Sequence, residues 1–204
     1  MSTIKERLQR ARRTDVGDAV ERAAARFREQ AAGAGLLDIG YGWIDTPVGR
    51  LLVAATEDGV VRVSFPSESV DRILADLASK VSPRILEDGA RLETTRRQLG
   101  EYFEGRRKSF DMPLDRRLIH GFHRQVLDVT ERIPYGSVST YKKVAEKAGS
   151  PRASRAAGNA LGSNPIPIII PCHRVVATGR GLGGYGGGLD KKQLLLDLEG
   201  ATPW

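Results

Sequence analysis

Thr140-Tyr141-Lys142-Lys143-Val144-Ala145-Glu146-Lys147-Ala148-Gly149-Ser150-Pro151-Arg152-Ala153-Ser154-Arg155-Ala156-Ala157-Gly158-Asn159-Ala160-Leu161 is the stretch that decides the fold. Thr140 to Lys147 reads as a short helix. Gly149-Ser150-Pro151 breaks it, and Ser150 suits an N-cap with Pro151 at the first position of a second helix through Leu161. Two short helices across a tight glycine-containing turn predict a helix-turn-helix. The second helix presents Arg152, Ser154, Arg155 and Asn159, with Ala153, Ala156, Ala157 and Gly158 between them. Small residues let a backbone approach another surface closely. That surface is either a DNA groove or a packed neighbour, and the pattern alone fits both.

Upstream, Gly121 to Ile133 keeps helical periodicity and stops at Pro134-Tyr135-Gly136. The chain changes character near Asp115 to Gly121. Before that, Tyr41 to Ile44 and Leu51 to Ala55 read as strands, and Asp58-Gly59 joins the second to a third, Val60 to Phe65. Helices are expected over Ser69 to Ser79 and Gly89 to Phe103. This half predicts a small antiparallel sheet with helices and contains no cluster that looks catalytic. Residues 4–32 read as an amphipathic helical extension, closed by the small-residue linker Ala31-Ala32-Gly33-Ala34-Gly35. The expected divisions are 1–35, 36–115 and 116–204.

The charge is uneven along the 204 residues. Residues 1–35 carry eight Lys/Arg against five Asp/Glu, residues 36–120 thirteen against fourteen, and residues 121–204 eleven against six. The basic C-terminal part favours a polyanion, although many basic surfaces are merely solvated. No apolar run reaches membrane-spanning length. The charged N-terminus lacks the apolar core of a signal peptide, so a reduced, cytoplasmic location is expected.

Downstream of the two helices lie Ser163-Asn164-Pro165-Ile166-Pro167, the apolar Ile168-Ile169-Ile170, and then Pro171-Cys172-His173-Arg174-Val175-Val176. Cys172 is the only cysteine, which rules out an intramolecular disulfide and a cysteine-rich zinc cage. It is either a small buried apolar residue or a nucleophile. A histidine and an arginine follow it, and Pro171 is expected to end a strand and expose it. A base here needs a group to orient it, and Asp190, Asp197 and Glu199 are the carboxylates on offer. Gly179 to Gly188 forms a glycine-rich loop around Tyr185. It lacks the G-x-x-x-x-G-K-[ST] pattern of a P-loop. A last helix is expected from Asp190 to Gly200.

Several of these motifs, in this order, resemble the O6-alkylguanine-DNA alkyltransferase family, the methylated-DNA–protein-cysteine methyltransferases. They are Arg155-Ala156-Ala157-Gly158, Asn164-Pro165-Ile166-Pro167, Ile170 to Val176, Gly184-Tyr185-Gly186-Gly187-Gly188 and Leu198-Glu199-Gly200. The resemblance is strong over about residues 121–200, fainter over 38–115, and does not extend to 1–35. It implies an α/β protein: a ribonuclease-H-like domain followed by a mostly helical, winged-helix or helix-turn-helix-like catalytic domain. It also implies a single-turnover repair protein that flips O6-alkylguanine out of duplex DNA and takes the alkyl group irreversibly. O4-alkylthymine would be accepted more weakly.

By the same resemblance Cys172 is the alkyl acceptor. His173 activates it through water, Glu199 holds His173, and together they keep the sulfur as thiolate. Asn164 stabilises the site from the hinge loop. Tyr141 rotates the 3′ phosphate and assists proton transfer to guanine. Arg155 fills the gap left by the flipped nucleotide, among DNA contacts that include Arg152, Ser154 and Asn159. Val175, Tyr185, Gly186 and Pro167 belong to the base pocket. No cofactor or metal is implied, and the protein would be a monomer that can assemble on DNA.

Gly186 departs from the serine of many relatives. His123 and Leu127 replace a glutamine and a tryptophan, and both read as core substitutions. Two other classes compete. A non-enzymatic lesion sensor of the alkyltransferase-like kind would lack the acceptor cysteine. A cysteine hydrolase would need an oxyanion hole that no residue identifies.

Overall fold

The computed structural model describes residues 19–20, 22–24, 26–27, 30–31, 33–179 and 181–201. Met1–Asp38 and Ile39–Trp204 are separate compact units. Of the expected N-terminal helix, residues 4–18 lie outside the described residues. Ala19, Val20, Ala23, Ala24 and Phe27 are helical. Ala31 and Gly33 of the supposed linker are helical. Gly35, at φ 67°, ends the helix with Leu36 N–H on Ala31 O at 2.8 Å.

The second unit begins with a four-stranded sheet. Its strands are β1 (Ile39–Thr46), β2 (Gly49–Thr56), β3 (Gly59–Ser64) and β4 (Ile85–Glu87), in the order β3-β2-β1-β4. The first three form an antiparallel meander, with Trp43 opposite Leu52 and Val53 opposite Val63. β4 pairs parallel to β1, so the sheet is mixed rather than purely antiparallel. Its few residues carry too little periodicity to be read from sequence.

Side chains of β2 alternate between two cores, as a period of two requires. Leu52 and Ala54 pack with Ile73 and Leu77 of α1 (Val70–Lys80). Leu51, Val53 and Ala55 pack with Leu99 and Tyr102 of α2 (Glu93–Phe103), which a 3₁₀ turn at Ala90–Leu92 introduces. Burial on both faces explains the unbroken apolar run of β2. Truncating Leu77 or Leu99, both essentially buried, to alanine should cost about 2–5 kcal/mol.

Asp58-Gly59 makes the expected tight connection. Gly59, at φ 127°, is needed for more than the turn, since a Cβ there would lie 2.2 Å from Pro113 O. Val60 N–H bonds that same carbonyl at 3.0 Å, stitching the segment before the second half onto β3.

The second half contains α3 (Gly121–Glu131), α4 (Tyr141–Lys147) and α5 (Ser154–Gly162), which pack on one another, and α6 (Leu189–Leu198). Thr140 caps α4, its hydroxyl accepting from Lys143 N–H at 3.2 Å. The helix expected from Ser150 begins instead at Ser154. Residues 150–153 close a turn through Ala153 N–H on Ser150 O at 2.9 Å, with Gly149 at φ 81°. The N-cap is Ala153, so Ser150 and Pro151 shape the turn between the helices rather than start the second. A parallel pair, β5 (Ser139–Thr140) and β6 (Val175–Val176), ties the entry of α4 to the chain leaving Cys172. The core that begins under β2 continues through Val126, Leu127, Val144, Ala157 and Ile168 to Cys172.

Candidate active site

Asn164, just beyond α5, organises the loop before the cysteine. Its amide Nδ2 donates to Ile170 O at 2.9 Å and to Cys172 Sγ at 3.3 Å, and its Oδ1 accepts from Ile166 N–H at 3.0 Å. Pro171, at φ −80° and ψ 63°, makes an inverse γ-turn closed by Cys172 N–H on Ile170 O at 2.8 Å. Cys172–Arg174 then form one 3₁₀ turn.

The expected strand before Pro171 is absent; residues 167–170 make only an isolated bridge. Prolines at 165, 167 and 171 lack the N–H groups that a ladder needs. Cys172 is 6% exposed, where exposure was expected, because Ile166, Ile168, Ile169 and Ile170 carry the whole loop into the core. Ile168 holds φ at 74°, a conformation costly for a β-branched residue.

His173 and Glu199 are both buried, with Nε2 of the first 2.8 Å from Oε1 of the second. Arg174 donates to both carboxylate oxygens, each at 2.9 Å, and to Ile133 O at 2.6 Å. Gly136 N–H donates to Oε2 at 3.3 Å, and the Tyr102 hydroxyl to Oε1 at 2.7 Å. Burial alone would raise the Glu199 pKa. The bonds from His173, Arg174 and Tyr102 outweigh it and hold the pKa at about 2. Burial lowers the pKa of His173 against the pull of Glu199, favouring neutral imidazole. With an ionised carboxylate at Nε2, that nitrogen carries the proton. Nδ1, which has no hydrogen-bond partner among the described residues, is left as the basic atom.

The thiol differs from the expected thiolate. Burial pushes the Cys172 pKa up to about 11, opposed by the Asn164 bond and the charge of Lys192. The resting group is therefore S–H, and a base would have to take its proton for the sulfur to serve as a nucleophile. Lys192 escaped the sequence reading. It is fully buried, and its Nζ donates to Val175 O at 2.7 Å, Leu182 O at 2.5 Å and Gly184 O at 3.1 Å. Burial lowers its pKa to about 8. A lysine on a last helix reads as a solvated residue, and nothing in the sequence marks it as the clamp of the glycine loop. Tyr102 was missed for a different reason, since it belongs to a half with no visible catalytic cluster.

Cys172 lies where two clefts meet. One, of about 640 Å³, is lined by Tyr141, Ser154, Arg155, Asn159, Cys172, Tyr185 and Gly186, among others. The fold thus brings seven of the candidate site residues together. The other, of about 510 Å³, includes Asn164, Pro167, Cys172 and Tyr185 together with Phe65 and His123. His123 is therefore a cleft residue, where a core position was expected. Its Nε2 has no hydrogen-bond partner among the described residues.

Arg152 is exposed in the turn before α5 and lines neither cleft. Val175 is fully buried in β6, with its carbonyl taken by Lys192. Asp190 and Asp197, the alternative carboxylates, are exposed and bond Lys191 and Gln193. Phe65 of the first half stands edge-on to Tyr185, with ring centroids 5.6 Å apart. Gly187 permits this, because a Cβ there would lie 2.9 Å from the Phe65 ring. Among the described residues no group of three or more His, Cys, Asp or Glu could hold a metal ion, and no helix is long and apolar enough to cross a membrane.

Two family models match the chain: 6-O-methylguanine DNA methyltransferase, ribonuclease-like domain, over residues 39–116, and the DNA binding domain of the same name over 121–201. A methylated-DNA–protein-cysteine methyltransferase of Mycolicibacterium paratuberculosis is 38% identical over 161 residues, 79% of this chain and 92% of the relative. The constitutive enzyme of that name from Bacillus subtilis is 37% identical over 163 residues, 78% of this chain and 94% of its own. The crystal structure of Mycobacterium tuberculosis O6-methylguanine methyltransferase superposes with a TM-score of 0.69 at 34% identity, covering 79% of this chain and 93% of that one. A Mycobacterium tuberculosis OGT structure in complex with DNA gives 0.68 at 35% identity, over 80% and 96%.

Proposed function

The chain belongs to the 6-O-methylguanine DNA methyltransferase family, and on that premise we propose that Cys172 is its alkyl acceptor and O6-alkylguanine in duplex DNA its substrate. Its activity is DNA repair by alkyl transfer to protein cysteine, and its partner is DNA. The observation that carries the assignment is the Nδ1 of a neutral His173, unbonded among the described residues and fixed by Glu199, beside a buried thiol in the wall of a cleft flanked by α5.

The thiol proton passes to His173 Nδ1 through one water. The thiolate attacks the alkyl carbon, the S–C bond forms, and the C–O6 bond breaks with its electron pair leaving on guanine. The proton is returned to the guanine, with Tyr141 assisting. The thioether has no route back, so each molecule reacts once. Asn164 and Lys192 stabilise the developing negative charge on sulfur, which burial otherwise disfavours.

A base held paired and stacked in the duplex cannot enter the cleft to meet a buried sulfur, so the nucleotide must flip out at a cost of a few kcal/mol. Arg155, exposed on α5 at the rim of the cleft, fills the vacated space, and Arg152, Ser154 and Asn159 contact the backbone. Tyr185, Gly186, Pro167 and the Val175 backbone enclose the base. O4-alkylthymine is a poorer substrate. The protein works as a cytoplasmic monomer able to assemble on DNA.

Intact mass and peptide mapping after incubation with duplex DNA containing O6-methylguanine test this reading. One methyl per molecule, on Cys172, is expected. An unmodified protein that binds the lesion tightly would instead be a sensor, and repeated turnover would point to a hydrolase.

A further inference from the structure

We propose that Tyr102, in the ribonuclease-like half, is a positioning residue for alkyl transfer: its hydroxyl holds Glu199 and thereby sets how readily His173 takes the thiol proton. The inference rests on the acceptor reading above and extends it to a residue 97 positions from the carboxylate it touches.

Tyr102 is fully buried in α2, among Phe103, Phe110 and Tyr135. Its Oη donates at 2.7 Å to Glu199 Oε1, the same oxygen that faces His173 Nε2 at 2.8 Å. One oxygen therefore serves both groups. Burial and the neighbouring carboxylate raise the phenol's pKa, so it stays a donor throughout the working range.

Among the described residues, the charged and titratable groups around this pair are few. His173 faces Glu199, Arg174, Lys192 and the edge-on Tyr185. Glu199 faces His173, Arg174 and Tyr102, with Tyr135 nearby. Arg174 spans both carboxylate oxygens and fixes the plane of the group. Among the described residues, Tyr102 and Arg174 share Oε1 with the imidazole. A strong donor on that oxygen withdraws charge from the bond to His173 and weakens its hold on imidazolium. The imidazole then stays neutral, and Nδ1 remains free to accept the thiol proton.

The test is the rate of Cys172 alkylation by free O6-benzylguanine against pH, which bypasses DNA binding. Three full-length proteins are compared: wild type, Tyr102→Phe, and a protein with 3-fluorotyrosine at position 102 only. Without the hydroxyl the carboxylate holds imidazolium more tightly. The acid limb should then move up by about one pH unit, with a rate roughly tenfold lower on that limb. The more acidic fluorophenol donates more strongly and should move the limb down, a readout that survives if Tyr102→Phe does not fold. Coincident limbs in proteins that do become alkylated overturn this inference alone, whatever their stability. A wild-type protein that stays unmodified at Cys172 overturns the acceptor reading and this inference with it.

Discussion

The side-chain amide of Asn164 donates to the sulfur of Cys172 at 3.3 Å while the same nitrogen holds Ile170 O at 2.9 Å. One residue thus shapes the loop and supplies a donor to the atom that must become negative. In a core that drives the thiol pKa up to about 11, this is the first opposing influence.

Asn164→Ala should raise the thiol pKa further and slow alkylation at neutral pH by about tenfold for each unit gained. The pH dependence of modification by O6-benzylguanine measures it. An unchanged profile in a less stable protein would leave Asn164 with the loop alone.

Glu199 makes stability depend on acid. Its pKa falls from 4.5 to about 2 on folding, so between those values the unfolded chain binds a proton that the folded one does not. The stabilisation is complete above about pH 4.5 and is lost as pH falls through 2, a contribution of ~3 kcal/mol. Glu199→Gln forgoes it and leaves the Arg174 charge underpaired. Urea unfolding should show wild type and variant furthest apart near pH 7 and converging toward pH 2.

Arg155→Ala should reduce repair in duplex DNA by roughly 10- to 100-fold, within the few kcal/mol that base flipping costs. The reaction with free O6-benzylguanine should change little, because the exposed guanidinium stands at the rim of the cleft. Equal losses on the two substrates would remove the finger role.

Lys192→Met keeps the bulk and takes the donor from Val175, Leu182 and Gly184 carbonyls. Each buried acceptor left bare costs about 1–3 kcal/mol, and the glycine loop over the cleft should loosen, visible as faster amide exchange around Tyr185. The pKa of Lys192 drops from 10.5 to about 8 on folding. As pH rises from 8 to 10.5 the unfolded chain therefore holds a proton that the folded one lacks. Wild type gains stability over that window, relative to the variant.

Local pattern made much of this protein legible from its residues. Asp58-Gly59 between apolar runs marked the hairpin, helical spacing marked α1, α2 and α3, and the order of motifs around Cys172 carried the family. Where periodicity was too short or too uniform, the reading slipped. β4 has only three residues. The isoleucines before Pro171 are apolar at every position and so fit a strand as well as a buried loop. Ser150 and Pro151 have the chemistry of a helix start and the geometry of a turn.

What the sequence determined by itself was the set of local elements and the chemical inventory: one thiol, its histidine, three carboxylates in reach by number, and a helix bearing Arg155. Tertiary structure decided which of those groups meet. It chose Glu199 over Asp190 and Asp197 by burying it against His173 and Arg174. It sank the thiol that Pro171 was expected to expose, and it brought Tyr102 and Lys192 to the site. The physical reason is that periodicity reports which face of an element is apolar, while pKa and hydrogen bonding depend on what another element places against that face.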